Sequence, residues 1–261
     1  MDKPISKKAN EWLPNRICAH RGASKNYPEN TAIAFEAAMR AGAGWIETDL
    51  QLLADNELVV YHDDTLGRTA QGSAKIATLS WQDIAGLDIG SWKAARFSDQ
   101  RPMRCEDLIF WQEQDPRSPS VIWEIKCPPD PLVAEAAAEE MAKRLSAAPH
   151  HRCIVSSFDR DFLRFLRPAL QSTPLALIAE SLPEDATLFC RDHGIEGIHL
   201  DGYLLDEVGS SAVLEADLSL RCYTVNEIGE ANRLISLGAE MIMTDCPEMF
   251  LSNSSCHSEF S

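Results

Sequence analysis

The sequence predicts an α/β fold, a (β/α)8 barrel with a β-hairpin and a small insertion after its second strand. Three observations lead there. Short apolar runs alternate with longer amphipathic stretches, the pattern of a parallel sheet wrapped by helices. Nine runs are strand-like, and two of them stand too close for a helical crossover, so eight remain to close a barrel. Histidine, arginine and carboxylates gather where strands end, the place where such barrels carry their sites. No repeat or linker divides the chain, so residues 1–261 read as one domain with a core over about 16–250.

The first strand, 16–20, runs into His20-Arg21-Gly22, and a helix follows over 31–41 with Asn30 as a candidate N-cap. The second strand covers 45–52. The turn-like Ala54-Asp55-Asn56-Glu57 then sends 58–62 back antiparallel, which sets His62 across from the neighbourhood of Glu47. Residues 64–110 are less regular and read as an insertion over one mouth of the barrel. It carries a short helix at 80–85 and exposed Trp81, Trp92 and Phe97. Alternation then resumes, with strands at 121–126, 153–158, 175–179, 197–201, 220–225 and 240–244. Helices are predicted over 132–147, 159–170, 184–193 and 227–237, and 251–261 reads as a frayed tail.

Charge narrows the function. Lys and Arg total 24 against 40 Asp and Glu, a formal net charge of −16. Such a surface repels nucleic acid and anionic headgroups at long range, although a local basic pocket can still hold phosphate. No apolar run approaches the length of a membrane span and the polar N-terminus has no secretory pattern, so a soluble cytoplasmic protein is expected. The eight cysteines contain no Cys-x-x-Cys pair and read as reduced core thiols. Nothing in the sequence bears on oligomeric state.

Side chains two apart on a strand share a face, so Glu47 and Asp49 point the same way, as do Glu124 and Lys126. Ile46, Ile122 and Ile125 are assigned to the opposite, apolar face. Like charges inside a barrel repel unless a cation lies between them. Glu47, Asp49 and Glu124 form an oxygen-rich set suited to Mg²⁺ or Ca²⁺ rather than zinc. Arg21 suits bidentate phosphate binding, and Lys126 is placed to hold a phosphate oxygen. His20 and His62 fall beside this cluster and can serve as an acid–base pair. His193 and His199 lack that setting, and His150, His151 and His257 read as surface residues.

Taken together, these residues resemble the glycerophosphodiester phosphodiesterase family. The resemblance runs through His20-Arg21-Gly22, Pro28-Glu29-Asn30-Thr31, Glu47-Thr48-Asp49, Val59-Val60-Tyr61-His62-Asp63 and Glu124-Ile125-Lys126. Ser156-Ser157-Phe158, Tyr223-Thr224-Val225-Asn226 and Thr244-Asp245 extend it over roughly 16–250. It is similar above all to cytosolic bacterial members. The resemblance implies a TIM barrel, a divalent cation on Glu47, Asp49 and Glu124, and His20 and His62 as general base and acid. It implies Arg21 and Lys126 on the phosphate of a small glycerophosphodiester, cleaved to sn-glycerol 3-phosphate and an alcohol such as choline or ethanolamine. Water and the glycerol C2 hydroxyl are both admissible nucleophiles.

Tyr223, with Phe158 and Trp92, is a candidate lining for the leaving group. Many relatives have Trp at the Tyr223 position, and residues 101–108 depart from the commoner pattern, which bears on headgroup preference rather than on the chemistry. A phospholipase-type barrel acting on membrane lipid is the nearest alternative, but it calls for a basic or apolar membrane-contacting surface, and none stands out. A degenerate barrel kept as a phosphate-binding module would have lost a ligand or a histidine.

Overall fold

The computed structural model describes residues 13–126, 131–146 and 152–251. Nine strands form one sheet: β1 (Ile17–His20), β2 (Trp45–Leu52), β3 (Leu58–Val60), β4 (Ser120–Ile125), β5 (Cys153–Ser157), β6 (Leu175–Ala179), β7 (Gly197–Asp201), β8 (Ser219–Tyr223) and β9 (Met241–Thr244). β1 pairs in parallel with both β2 and β9, which closes all the strands except β3 into an eight-stranded TIM barrel. The helices around it are α1 (Ala32–Ala41), α2 (Trp81–Ile84), α3 (Cys105–Gln114), α4 (Pro131–Leu145), α5 (Arg160–Leu166), α6 (Ala186–Asp192), α7 (Glu207–Glu215), α8 (Ile228–Ser236) and α9 (Pro247–Leu251). No described helix is long and apolar enough to cross a membrane.

Strand alternation splits the core into two layers. Outward residues such as Ile46, Leu50, Trp123, Val155 and Leu177 pack with Phe35, Leu108, Phe162 and Leu234 from the helices. Phe35 and Phe162 are wholly buried, and each contributes roughly 1.5–3 kcal/mol of burial energy. Inside the barrel, Cys18, Ile122, Ile154, Ala176, Met241 and Met243 form a separate apolar floor. Ile122 therefore faces inward, against the sequence assignment. It lies two residues before Glu124 and shares that residue's face, beneath the carboxylates.

The hairpin exists because β2 outlasts β1. Their pairing ends at His20 opposite Glu47, and β3 takes the freed edge at Leu50–Leu52. Asn56, at φ 63°, makes the left-handed turn between them. β3 stops at Val60 rather than reaching residue 62. The Gln51 amide donates to the carbonyls of Tyr61 and Asp63 (3.0 and 2.7 Å), replacing the ladder and turning the chain toward the mouth.

Beyond β3 the chain builds a small core of its own from Leu53, Val59, Tyr61, Ile76, Ile84 and Ile89. Phe97 belongs to the interior, 3% exposed and 5.8 Å from the Tyr27 ring, not to the surface as the sequence suggested; Trp81 is half-buried and Trp92 is 39% exposed. α3 begins inside the stretch read as irregular and runs four residues past its end. Its buried face is Cys105, Leu108, Ile109 and Gln112, a helical spacing masked by exposed Phe110 beside it. α1 is capped by Thr31, whose Oγ1 accepts from the Ala34 N–H at 3.4 Å; Asn30, the expected cap, turns its side chain elsewhere. The six described cysteines are all buried. Cys127, Cys256, His150, His151, His257 and the tail beyond Leu251 lie outside the described residues.

Candidate active site

At the C-terminal mouth, neighbouring strands bring Glu47, Asp49 and Glu124 together. β2 and β4 pair with Asp49 beside Glu124, and each of the three acids offers an oxygen within 4.8 Å of the others. All three are buried, and Glu47 Oε1 has no hydrogen-bond partner. Burial first, then the Asp49 charge, pushes the Glu47 carboxyl up to about 8. Glu124 is raised for the same two reasons. Asp49 goes the other way: burial pushes it upward, but Lys126, Arg21 and His62, with the Asn30 hydrogen bond, outweigh that and hold it ionised. A buried, all-oxygen set with an unpartnered oxygen and two acids reluctant to ionise fits a divalent cation.

Asp49 is the most tightly held of the three. Asn30 Nδ2 donates to its Oδ2 at 2.8 Å, while Asn30 Oδ1 accepts from the Thr48 hydroxyl at 2.8 Å. Lys126 Nζ lies 2.9 Å from Asp49 Oδ1 and also pairs with Glu124. Arg21 Nε is 3.2 Å from Asp49 Oδ2, and its backbone N–H donates to Glu47. Arg21 adopts φ 55°, a left-handed conformation that only firm surroundings maintain. The turn after it requires glycine. Gly22 has φ 81°, and a Cβ there would meet Ala34 at 2.7 Å.

Both histidines are held through Nδ1 by a carboxylate, His20 by Asp245 at 2.8 Å and His62 by Asp63 at 2.7 Å. Each carboxylate favours the Nδ1–H tautomer and leaves Nε2 to exchange a proton. His20 Nε2 sits 3.8 Å from Glu47. Burial opposes a charge on His20, but the Asp245 hydrogen bond and the Glu47 charge prevail and raise its pKa. Asp245 in turn accepts from Ser24 Oγ (3.0 Å) and Asn226 Nδ2 (2.8 Å). Asp63 is gripped by Arg68, which also binds Glu29, itself paired with Arg21 at 2.9 Å. One chain of charges thus links His62 to Arg21.

These groups open onto a cleft of about 470 Å³ lined by His20, Arg21, Glu29, Arg68, Trp92 and Lys93. Trp92 lines this cleft, with Lys93 Nζ 5.4 Å from its ring. Tyr223 meets Phe158 edge-on at 6.3 Å and lines a small hollow with His20, Glu47 and Glu124. His199 is buried below, 3.4 Å from Arg221, and its pKa is driven well below the usual value first by burial and then by the arginine's charge. His193 stacks on Phe189 outside the barrel. Sequence reasoning assigned no role to Asp63, Glu29, Arg68, Asn226 or Asp245. For most of these the only signal was membership of the quoted motifs; Arg68 carried none.

A barrel mouth that gathers a carboxylate cluster, two carboxylate-held histidines and an arginine is chemically suited to hydrolysing phosphate esters. A glycerophosphoryl diester phosphodiesterase family model matches residues 20–249, and the chain belongs to that family. The uncharacterized protein YqiK of Bacillus subtilis is 30% identical over 244 residues, covering 89% of this chain and 96% of its own. A B. subtilis glycerophosphodiester phosphodiesterase is 27% identical, covering 96% and 91%. Among solved structures, a phosphodiesterase of Oleispira antarctica in complex with the product sn-glycerol-3-phosphate superposes with a TM-score of 0.84 at 24% identity, over 91% of this chain and 95% of that one.

Proposed function

We propose that the protein hydrolyses small glycerophosphodiesters, such as glycerophosphocholine or glycerophosphoethanolamine, to sn-glycerol 3-phosphate and the free alcohol. The observation that carries this is the pair of histidines, each fixed through Nδ1 by its own carboxylate, beside the Glu47–Asp49–Glu124 cluster and Arg21. Glu47, Asp49 and Glu124 would hold Mg²⁺ or Ca²⁺. When bound, that ion supplies Lewis-acid polarisation of the phosphoryl oxygens. The product found in the Oleispira enzyme supports the assigned bond cleavage.

Arg21 and Lys126 neutralise the phosphodiester, which otherwise repels a nucleophile, and stabilise the charge that builds in the transition state. One imidazole takes the proton of the attacking water or glycerol C2 hydroxyl. The other delivers a proton to the departing alkoxide. Asp245 and Asp63 stabilise whichever ring becomes positive. The residues expected to carry the reaction are therefore His20 and His62 for proton transfer, Arg21 and Lys126 for phosphate, and Tyr223 on the leaving-group side. The substrate of this reading is a small water-soluble diester and the setting cytoplasmic.

The test is to strip the protein with EDTA, add glycerophosphocholine with and without Mg²⁺ or Ca²⁺, and assay sn-glycerol 3-phosphate. Metal-restored release supports the reading. Release of phosphocholine instead reverses the leaving group. Near-normal turnover by both His20→Ala and His62→Ala removes the acid–base assignment.

A further inference from the structure

The two halves of the mouth differ in charge. On the β1–β2 side stand Arg21, Arg68 and Lys93. On the β5–β8 side, strand alternation carried to the strand ends sets Phe158, Glu180, Asp201 and Tyr223 on the interior face, above Ser156, Ile178, His199 and Arg221. Asp201 is the register partner of Tyr223, and its N–H donates to the Glu180 carbonyl at 3.3 Å, so the four residues occupy one arc. Phe158 is half exposed and meets Tyr223 edge-on. Among the described residues neither Asp201 nor Glu180 pairs with a cation, while most other acids around the mouth do. Beneath the arc, Ser156 is wholly buried with an unpartnered hydroxyl, and the Tyr223 hydroxyl is likewise unpartnered. Both residues line one enclosed hollow of about 20 Å³ shared with Glu47 and Glu124, so the arc adjoins the carboxylate cluster.

We propose that this arc is the subsite for the leaving alcohol and selects a positively charged one, the quaternary or primary ammonium of a choline- or ethanolamine-type headgroup, over a neutral polyol. Two aromatic side chains beside two carboxylates without a cation partner attract an ammonium group by its charge, whereas a neutral polyol gains only hydrogen bonds to the carboxylates. Glu180 stands at the edge of the arc, where an outer groove lined by Leu182, Leu204 and Val208 begins; Asp201, on the strand itself, is the principal contact. This assignment rests on the function proposed above and deepens it.

Asp201→Asn separates charge from structure. Asp201 Oδ1 accepts the Tyr203 N–H at 2.8 Å, a bond the Asn carbonyl can keep. Glu180→Gln is an exposed change with little bearing on folding. The measurement is kcat/KM for glycerophosphocholine and for glycerophosphoglycerol, taken as a ratio, in wild type, Asp201→Asn, Glu180→Gln and Phe158→Ala. The wild-type ratio should exceed one and should fall about tenfold in Asp201→Asn and severalfold in the other two, the scale of one partly exposed cation contact. A ratio unchanged in all three variants overturns the proposal, as does a wild type that prefers the polyol headgroup. Binding of free choline, followed by titration calorimetry, supplies a second readout. Choline binding lost in Asp201→Asn supports the subsite even if no diester is turned over, an outcome that would sink only the proposed reaction. Choline binding retained in Asp201→Asn and Phe158→Ala counts against the subsite itself.

Discussion

Arg68 offers the sharpest test of how the site is held. Its guanidinium makes four charge-assisted hydrogen bonds, to Glu29 at 2.6 and 2.8 Å and to Asp63 at 2.7 and 2.8 Å. Through Glu29 it reaches Arg21, and through Asp63 it reaches His62. Arg68→Met would leave Glu29 with Arg21 and Asp63 with His62 as their remaining partners. Fully buried, each bond to a charged group would be worth roughly 1.5–3 kcal/mol. The Arg68 side chain is 44% exposed, however, against 11% for Glu29 and 21% for Asp63. Solvent screening cuts the whole loss of stability to about 1–2 kcal/mol, a fall in Tm of roughly 2–8 °C. The kinetic effect should be larger than stability alone suggests. An imidazole held less firmly in its productive orientation, beside an Arg21 whose Glu29 partner has lost its own anchor, should lower kcat/KM roughly 10–100-fold, or about 1.4–2.8 kcal/mol. Arg68→Lys should recover little, since an ammonium cannot bridge two carboxylates bidentately. The assay is sn-glycerol 3-phosphate release from glycerophosphocholine at saturating metal, alongside urea unfolding. A variant that is destabilised as expected yet keeps kcat/KM within twofold would refute the reasoning and reduce the clamp to a surface brace. Full rescue by lysine would refute the bidentate part of it.

Asp245→Asn should lower kcat roughly 10²-fold with little change in KM, because an amide can hold the His20 ring but cannot stabilise its cation; a loss under threefold would remove Asp245 from the proton-transfer path. Mg²⁺ at about a hundred times its Kd should stabilise the stripped protein by about 2.7 kcal/mol, a Tm rise of roughly 5–10 °C, and Glu124→Gln should abolish most of it. Equal shifts in wild type and Glu124→Gln would place the ion elsewhere. Acid should weaken the fold through His199. Its folded pKa is depressed by burial and Arg221, so below about pH 6.5 the unfolded chain binds a proton that the folded chain does not, and stability falls by up to about 1.4 kcal/mol per pH unit. Urea midpoints at pH 7.5 and 5.5 should therefore separate more in wild type than in His199→Gln, and identical separations would show that His199 is not the group responsible.

By itself the sequence determined the barrel, the hairpin and the pairing of Glu47 with Asp49 and of Glu124 with Lys126. All of these follow from periodicity and from the shortness of one connection, which are local properties of the chain. Ile122 was legible in the same way, since its separation from Glu124 already assigns it to the inward face. Phe97 and α3 were not, because an irregular segment carries no period and an exposed Phe110 beside buried Ile109 blurs a helical one. Asn30 looked like a cap from its neighbours alone, while its partner in the fold is Asp49, on β2. Only the tertiary structure decided what holds each histidine and what charge each carboxylate carries. Asp245 reaches His20 across 225 residues because β9 closes the barrel against β1, and Arg68 reaches Glu29 because the segment after β3 folds back over the mouth. Orientation and ionisation depend on distance and burial, and those exist only once the ring of strands has closed.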